Sequence, residues 1–227
     1  MCGRIAATLP IEAMAALFSA VPGNDLPQGE NFNLCPSETI ALCTSEAGQR
    51  RLRAMRWGFV PAWYKSPTDG PLLINARAET IAEKPAFRQA VRARRCLIPM
   101  AGFYEWLRPK GGRPEPWFIS RQDGAPLVLA GIWQEWEAEG TRLASCAIVT
   151  TAAGPTLAPI HDREPVSLEP DSWSLWLGEA GKGAAPLMRP APAGRLTAWR
   201  VGFEVNSNRD TGPGLIVPLA DTGRAVG

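Results

Sequence analysis

The spacing of apolar and polar positions along the chain predicts three short helices. In residues 11–18 the apolar positions recur at the three- and four-residue intervals of one helical face. The segment DSWSLWLG has a similar pattern, with Asp171 as the expected cap and Gly178 as the expected end. A third helix is expected after ETIAEKP, with Pro85 in its first turn.

Most of the other apolar segments have the composition of β-strands, because β-branched and aromatic residues dominate them. They are RCLIPMAGFYEW, PWFIS, LVLAGIWQEW, LASCAIVTT and RLTAWRVGFEV. Since no regular alternation of strand and helix repeats, a doubly wound parallel sheet is disfavoured. We therefore predict an α+β fold, in which a few helices flank a largely antiparallel, barrel-like sheet. One domain is expected over residues 1–227, with a core over residues 2–218 and a frayed C-terminal tail.

The composition, 45% hydrophobic and 20% charged over 227 residues, is that of an ordinary globular protein. The sequence has no apolar run of about 18 residues and no signal peptide, so we expect a cytoplasmic protein that does not contact membranes. The five cysteines are scattered without a C-x-x-C motif, which disfavours disulfides and structural zinc. His161 is the single histidine, which excludes a metal site with two histidines from one chain. We expect a monomer with neither metal nor cofactor.

Charge is distributed unevenly, although the net charge is only +2. Residues 50–113 contain 14 Lys and Arg against 4 Asp and Glu. Such asymmetry is typical of a polyanion-binding face, and equally of a solvated surface that happens to be basic. Trp63 lies in the same stretch, and aromatic residues among arginines suit single-stranded nucleic acids, whose bases can stack.

The first residues, MCGR, place a cysteine directly after the initiator methionine. If Met1 is removed, Cys2 carries an amine and a thiol on adjacent carbons, a pair that reacts with aldehydes. The amine forms an imine, and the thiol then closes a five-membered thiazolidine ring in an intramolecular step. We expect the amine to be partly neutral and the thiol partly ionised near pH 7, with Arg4 lowering the pKa of the thiol further.

Three further segments have candidate chemistry, each with an ordinary structural alternative. In INAR, Asn75 and Arg77 share a face of an extended segment, and the alternative is a turn amide beside a surface arginine. In GFYEW, Glu105 shares a face with Phe103 and is a candidate acid or base, or else an outward-facing carboxylate. His161 in IHDR is a candidate acid or base, although a lone histidine is more often structural.

Together, the segments resemble the SRAP family, the SOS response-associated peptidase proteins. The motifs that support the resemblance occur in the family's order over nearly the whole chain. They are MCGR, N-x-x-P at residues 33–36, RWGFVPAW, INARAET, PAFR, RRCLIPMAGFYEW, LAGIWQEW, AIVTTAA, IHDREPV and a late VN. The resemblance implies an α+β fold with a barrel-like sheet. It also implies binding to single-stranded DNA with abasic sites, whose ring-opened sugar is an aldehyde, and a covalent thiazolidine DNA–protein crosslink.

The resemblance also implies residue roles by matching motifs. Cys2 is the implied nucleophile after removal of Met1, and Asn75 orients the N-terminal residue and the sugar. Glu105 shuttles protons during imine formation and ring closure. His161 assists sugar ring opening, Schiff-base chemistry and crosslink reversal.

DNA contacts follow from the same motifs. Arg4 and Arg77 are expected to hold the phosphates that flank the lesion, with Arg163 as a further candidate. Trp63 and Pro36 are expected to lie along the DNA path.

Two residues depart from the family's pattern. Glu164 stands where the family usually has methionine, and we expect its carboxylate either to repel DNA or to pair with Arg163. Cys35, just before Pro36, is unusual, and we expect it to be a small buried hydrophobic residue.

Other functions remain open at this stage. Cys2, His161 and Glu105 can be drawn as a thiol protease triad, and removal of Met1 can be autocatalytic. Glutamine-hydrolysing enzymes also begin Met-Cys-Gly, but their oxyanion hole commonly uses an Asn-Gly pair, which this sequence lacks. A non-catalytic single-strand binder is the third possibility.

Overall fold

The computed structural model describes residues 2–220 and forms an α+β fold there, as predicted. The first strands in the chain are β1 (Ile5–Ala7), β2 (Val21–Pro22), β3 (Asn31–Leu34), β4 (Thr39–Glu46), β5 (Gln49–Trp57) and β6 (Asn75–Arg77). Later strands are β7 (Arg95–Met100), β8 (Gly102–Leu107), β9 (Glu115–Arg121), β10 (Leu127–Ala138), β11 (Thr141–Ala152), β12 (Arg163–Pro165) and β13 (Leu196–Arg200). The α-helices are α1 (Ile11–Phe18), α2 (Ala90–Ala93) and α3 (Pro170–Leu177).

Five of these strands close into a barrel. The chain of antiparallel neighbours runs β11–β10–β7–β4–β5, and β5 then pairs with β11 in parallel, which closes the ring. Strand β6 also pairs with β11 in parallel, so Asn75 lies opposite Ile148. A second sheet has the order β13–β9–β8–β1–β3. The prediction of a largely antiparallel, barrel-like sheet is thus confirmed.

Alternation along the barrel strands separates two hydrophobic clusters, because successive strand side chains point to opposite faces. On β10, Leu127 and Leu129 belong to the first cluster, which fills the barrel and continues along one face of the second sheet. Val128 and Ala130 belong to the second cluster, which the helices cover from outside. Cys2 belongs to the first cluster, so the N-terminus starts inside the main core.

Two tight hairpin loops set the register of the long strands. Ala47–Gly48 joins β4 to β5, and Glu139–Gly140 joins β10 to β11. All four loop residues have positive φ, between 49° and 78°. Two residues with positive φ match the twist of an antiparallel hairpin, and glycine at the second position adopts this conformation without steric cost.

The prediction of one strand over RCLIPMAGFYEW was wrong, because the segment crosses from the barrel to the second sheet. Strand β7 ends at Met100, and β8 begins at Gly102. A Cβ at Gly102 would lie 2.3 Å from the carbonyl oxygen of Ile119, so only glycine fits at this crossing. The hairpin β4–β5 was missed, since its apolar positions are interrupted by arginines.

The helix predictions were close, with two corrections. Helix α1 has the predicted bounds, and Gly178 ends α3 in a left-handed conformation. However, α3 begins at Pro170, so Asp171 lies in its first turn and does not cap it. The third helix is shorter than predicted, since turns precede α2 and only residues 90–93 are α-helical.

Within residues 2–220, no helix is long and apolar enough to cross a membrane. Met1, whose removal the proposed chemistry requires, lies outside the described residues. The same holds for residues 221–227, which make up most of the tail that was expected to fray.

Candidate functional site

Cys2 lies at the edge of the main core, just before β1. Its side chain is only 1% exposed. Strand β1 runs between β3 and β8, with Ile5 opposite Phe103. This register holds the N-terminal residues beside β8, where GFYEW lies.

Glu105 is brought next to Cys2 by the pairing of β1 with β8. The backbone N–H of Tyr104 donates to the carbonyl of Arg4 at 2.9 Å, so Glu105 lies beside residues 2 and 3. Glu105 is 5% exposed, and Phe103 on the same face belongs to the cluster that contains Cys2. The outward-facing alternative for Glu105 is therefore wrong.

Asn75, the first residue of β6, also contacts Cys2. Its Nδ2 donates to the carbonyl oxygen of Cys2 at 2.8 Å. Its Oδ1 is buried and accepts no hydrogen bond within the described residues. Ala76 is buried in the outer cluster, so Asn75 and exposed Arg77 occupy the other face of the strand, as predicted. The structure thus brings Cys2, Asn75 and Glu105 together.

The thiol of Cys2 is not activated in this environment. Burial raises its pKa well above the usual range, and the negative charge of Glu105 raises it further. Burial and Glu105 thus oppose the partial ionisation expected of the thiol, because the loss of hydration penalises the thiolate. The backbone N–H of Arg4 stabilises the sulfur but does not offset burial.

The guanidinium of Arg4 binds β3 and the C-terminal part of the chain. Its Nη1 donates to Oδ1 of Asn33 at 2.6 Å and to the carbonyl of Val205 at 2.8 Å. Asn33, 2% exposed, donates in turn to the carbonyls of Ser207 and Asp210. This buried network was missed in the sequence, where spacing does not connect residues so far apart.

His161 lies in the loop between β11 and β12, and Leu157 and Ile160 of that loop pack in the Cys2 cluster. Nδ1 of His161 lies 2.9 Å from both the backbone N–H of Arg163 and the carboxylate of Asp162. The backbone N–H can only donate and its position is fixed, whereas Asp162 is largely exposed. We therefore assign Nδ1 as the acceptor, so the ring proton lies on Nε2.

Arg163 pairs with Glu79 through two hydrogen bonds of 2.7 and 2.9 Å. It also donates to the carbonyl of Thr150 at 2.9 Å. Arg163 lowers the pKa of Glu79, chiefly through the hydrogen bonds. These bonds fix the arginine at the start of β12. Its role as a DNA contact stays a prediction.

The expectation that the Glu164 carboxylate repels DNA or pairs with Arg163 was wrong, since it neither faces solvent nor pairs with Arg163. It is 1% exposed, and its oxygens accept from the backbone N–H groups of Gly154 at 2.7 Å and Ala191 at 2.6 Å. Burial raises its pKa, while the two hydrogen bonds act in the opposite direction. The carboxylate therefore ties the His161 loop to the segment around Ala191.

The remaining candidates for DNA contacts lie nearer the surface. Trp63 is 60% exposed and, with Arg88, lines a cleft of about 450 Å³. Arg77 is exposed and Pro36 is half-buried. Cys35 is also half-buried, so the prediction that it is a buried hydrophobic residue was wrong.

The basic stretch at residues 50–113 does not form one free face. Arg50 pairs with Glu179 at 2.8 Å, and Arg53 pairs with Glu46 and Glu135. In the part of the chain that the structure describes, no cluster of three or more His, Cys, Asp or Glu side chains is arranged to hold a metal ion.

The family model described as SOS response associated peptidase (SRAP) matches residues 1–208. The chain belongs to the SRAP family. This match covers every site residue described above, from Cys2 to Glu164.

Two bacterial relatives match over nearly their full lengths. The abasic site processing protein YoqW of Bacillus subtilis is 34% identical over 95% of this chain and 99% of its own. The abasic site processing protein YedK of Escherichia coli is 30% identical over 96% of this chain and 100% of its own. A crystal structure of a protein from Bacteroides thetaiotaomicron, 23% identical, matches the fold with a TM-score of 0.85 over 96% of this chain and 100% of its own.

Proposed function

We propose that this SRAP protein processes abasic sites in single-stranded DNA by forming a covalent thiazolidine crosslink through Cys2 after Met1 is removed. The observation that carries the proposal is the convergence of Cys2, Asn75 and Glu105 from three separate segments. YoqW and YedK are both named abasic site processing proteins, which supports abasic sites as the substrate.

The first step joins the amine of Cys2 to the aldehyde of the ring-opened sugar. The nitrogen adds to the carbonyl carbon, a proton reaches the oxygen, and water leaves to give a protonated imine. Oδ1 of Asn75 is a buried acceptor whose amide already binds the Cys2 carbonyl, and we assign it to orient the amine. The carboxylate of Glu105 takes a proton from the ammonium group of Cys2 and passes it to the hydroxyl that leaves as water.

The second step closes the ring. The thiol of Cys2 adds to the imine carbon, the π electrons pass to nitrogen, and the carboxylate of Glu105 takes the thiol proton. A base is needed here because burial keeps the thiol neutral. Over both steps an aminothiol and an aldehyde give a thiazolidine and one water, and Glu105 returns to its carboxylate form by releasing the thiol proton to solvent.

His161 is assigned to opening of the sugar ring and to reversal of the crosslink, as the resemblance implies. Since Nδ1 accepts from Arg163, Nε2 carries a proton, which we assign to donation to a sugar oxygen. Arg77 and Trp63 are assigned to the phosphates and bases beside the lesion, since both are exposed. All of these groups belong to one chain, so a monomer is sufficient.

A thiol protease is a weaker interpretation of the same residues. Cysteine proteases need a thiolate, and their nucleophile has a lowered pKa. Burial and Glu105 shift the pKa of the Cys2 thiol in the opposite direction. Imine chemistry begins at the amine and tolerates a neutral thiol, which favours the crosslink.

The test is crosslinking of the purified protein to an oligonucleotide with one abasic site, followed by denaturing electrophoresis. Intact mass first establishes whether Met1 is absent. We expect a stable adduct with wild type, no stable adduct with Cys2→Ala or Cys2→Ser, and a normal adduct with the matched control Cys35→Ser. A stable adduct with Cys2→Ala would rule out the thiazolidine. Peptide cleavage that is lost in Cys2→Ala would support the protease instead.

A further inference from the structure

A cleft on the outer side of the barrel lies apart from the residues around Cys2. Helices α2 and α3 and the glycine-rich loop at residues 178–184 form its walls, and its volume is about 830 Å³. Its lining residues Ile81, Trp176 and Ala184 belong to the outer cluster, whereas Cys2 belongs to the inner one. Pockets of this size are typical of binding sites.

The charged residues of this outer cleft are all cations. Arg92 lies on α2, Arg95 begins β7, and Lys182 lies in the glycine-rich loop. Among the described residues that line the cleft there is no Asp or Glu. Three cations from three segments favour a ligand with several carboxylates, because one carboxylate cannot neutralise them all.

Arg95 is a partly buried cation that is held by neutral groups. Its Nε donates to the carbonyl of Trp176, and its Nη1 donates to the carbonyls of Val91 at 2.9 Å and Arg92 at 3.1 Å. Within residues 2–220, its Nη2 makes no hydrogen bond and it pairs with no carboxylate. Burial lowers its pKa, in keeping with a cation that has no carboxylate partner among the described residues. An incoming carboxylate would supply the missing counter-charge.

The remaining walls of the outer cleft are apolar, and this feature distinguishes a peptide from a nucleic acid. Aliphatic side chains of Val91, Leu177 and Met188 line it. Trp176 is fully buried and its Nε1 donates to the carbonyl of Cys96 at 3.0 Å, so no base can stack on its face. Single strands need such stacking surfaces, which Trp63 offers elsewhere on the molecule.

We propose that the outer cleft binds a segment of a partner protein in which acidic and apolar side chains are interspersed. The apolar side chains enter the cleft, and the carboxylates pair with Arg92, Arg95 and Lys182. This inference does not rest on the crosslinking reaction, because no residue of the cleft takes part in it.

The probe is a fluorescein-labelled heptapeptide that alternates Asp and Leu, and its binding is measured by anisotropy. The double variant Arg92→Glu/Lys182→Glu reverses two exposed cations that make no side-chain hydrogen bond among the described residues. We expect it to weaken binding by about tenfold or more. The matched control Arg108→Glu/Lys110→Glu carries the same change in net charge on another loop, and we expect binding within about twofold of wild type.

Several outcomes would overturn the proposal. They are no saturable binding to wild type, equal weakening in both double variants, or equal binding of a peptide with Ser for Leu. Loss of oligo-dT binding in Arg92→Glu/Lys182→Glu, with peptide binding intact, would assign the cleft to DNA instead. Cys2→Ala should bind the peptide like wild type, so failure of the crosslinking proposal is distinguishable from failure of this one.

Discussion

Glu105 on β8 and Glu164 on β12 are both buried carboxylates, but they face different groups. Glu164 accepts hydrogen bonds from two backbone N–H groups, one on each oxygen. Glu105 lies beside the Cys2 thiol and raises its pKa. Burial alone therefore does not identify a catalytic carboxylate, since a structural one can be buried more deeply. The groups that a carboxylate contacts decide its role.

The largest expected effect is on the crosslinking rate, which should depend on Glu105 and not on Glu164. Glu105→Gln removes the proton shuttle while keeping the shape of the side chain, so we expect crosslinking to slow by about 10²–10⁴-fold. Single-turnover rates on abasic single-stranded DNA measure the effect. Glu164→Gln is the comparison, with a rate per folded molecule within about threefold of wild type. Similar slowing in both variants would remove the proposed distinction.

The next largest effect is on the free energy of unfolding, which should depend more on Glu164 than on Glu105. Glu164→Ala leaves the N–H groups of Gly154 and Ala191 buried without acceptors, so we expect the free energy of unfolding to fall by about 2–4 kcal/mol. Urea unfolding measures the change, and Glu105→Gln should lose less than about 1 kcal/mol. If Glu164→Ala were as stable as wild type, its two hydrogen bonds would have no structural importance.

Asn75→Ala should have an intermediate effect on activity. It removes the hydrogen bond to the carbonyl of Cys2, worth about 1 kcal/mol, and a buried acceptor beside the amine. We expect crosslinking to slow by about tenfold, with the same single-turnover measurement. The exposed residue Asn24 is the matched control, and Asn24→Ala should crosslink at the wild-type rate. An unchanged rate in Asn75→Ala would exclude it from the site.

The pH dependence of stability should also identify Glu164. Burial raises its pKa in the folded state above that of the unfolded chain, so protonation favours folding. Its contribution is therefore complete below the unfolded pKa, about 4.3 for Glu, and is lost as pH rises through the folded pKa. We expect the stability of wild type relative to Glu164→Gln to fall as pH rises from about 4. A difference that is constant with pH would contradict the raised pKa.

The smallest effect is expected at an exposed pair far from both carboxylates. Arg142 and Glu137 form a 3.0 Å ion pair, with side chains 82% and 57% exposed. Because solvent screens such pairs, Arg142→Ala should change the free energy of unfolding by less than about 0.5 kcal/mol. Urea unfolding of Arg142→Ala and Glu164→Ala, measured together, compares the stability contribution of the exposed pair with that of the buried carboxylate.

Periodicity in the sequence predicted the faces of strands but not which face is inside. Phe103 and Glu105 were correctly placed on one face of a strand, yet an outward Glu105 remained possible until β8 paired with β1. Likewise, RCLIPMAGFYEW has uninterrupted strand composition. The steric limit at Gly102 that divides it comes from Ile119, which is distant in the sequence.

By itself, the sequence determined helix α1, the positions of six of the thirteen strands, the aminothiol chemistry available to Cys2 and the resemblance to the SRAP family. These follow from local spacing and from motifs that are contiguous in the chain. Only the tertiary structure decided that Glu105 lies beside Cys2, that Glu164 binds two backbone N–H groups, and that an unneutralised Arg95 faces an apolar cleft. The physical reason is that desolvation and pairing depend on segments brought together by folding, such as Gly154 and Ala191 around Glu164.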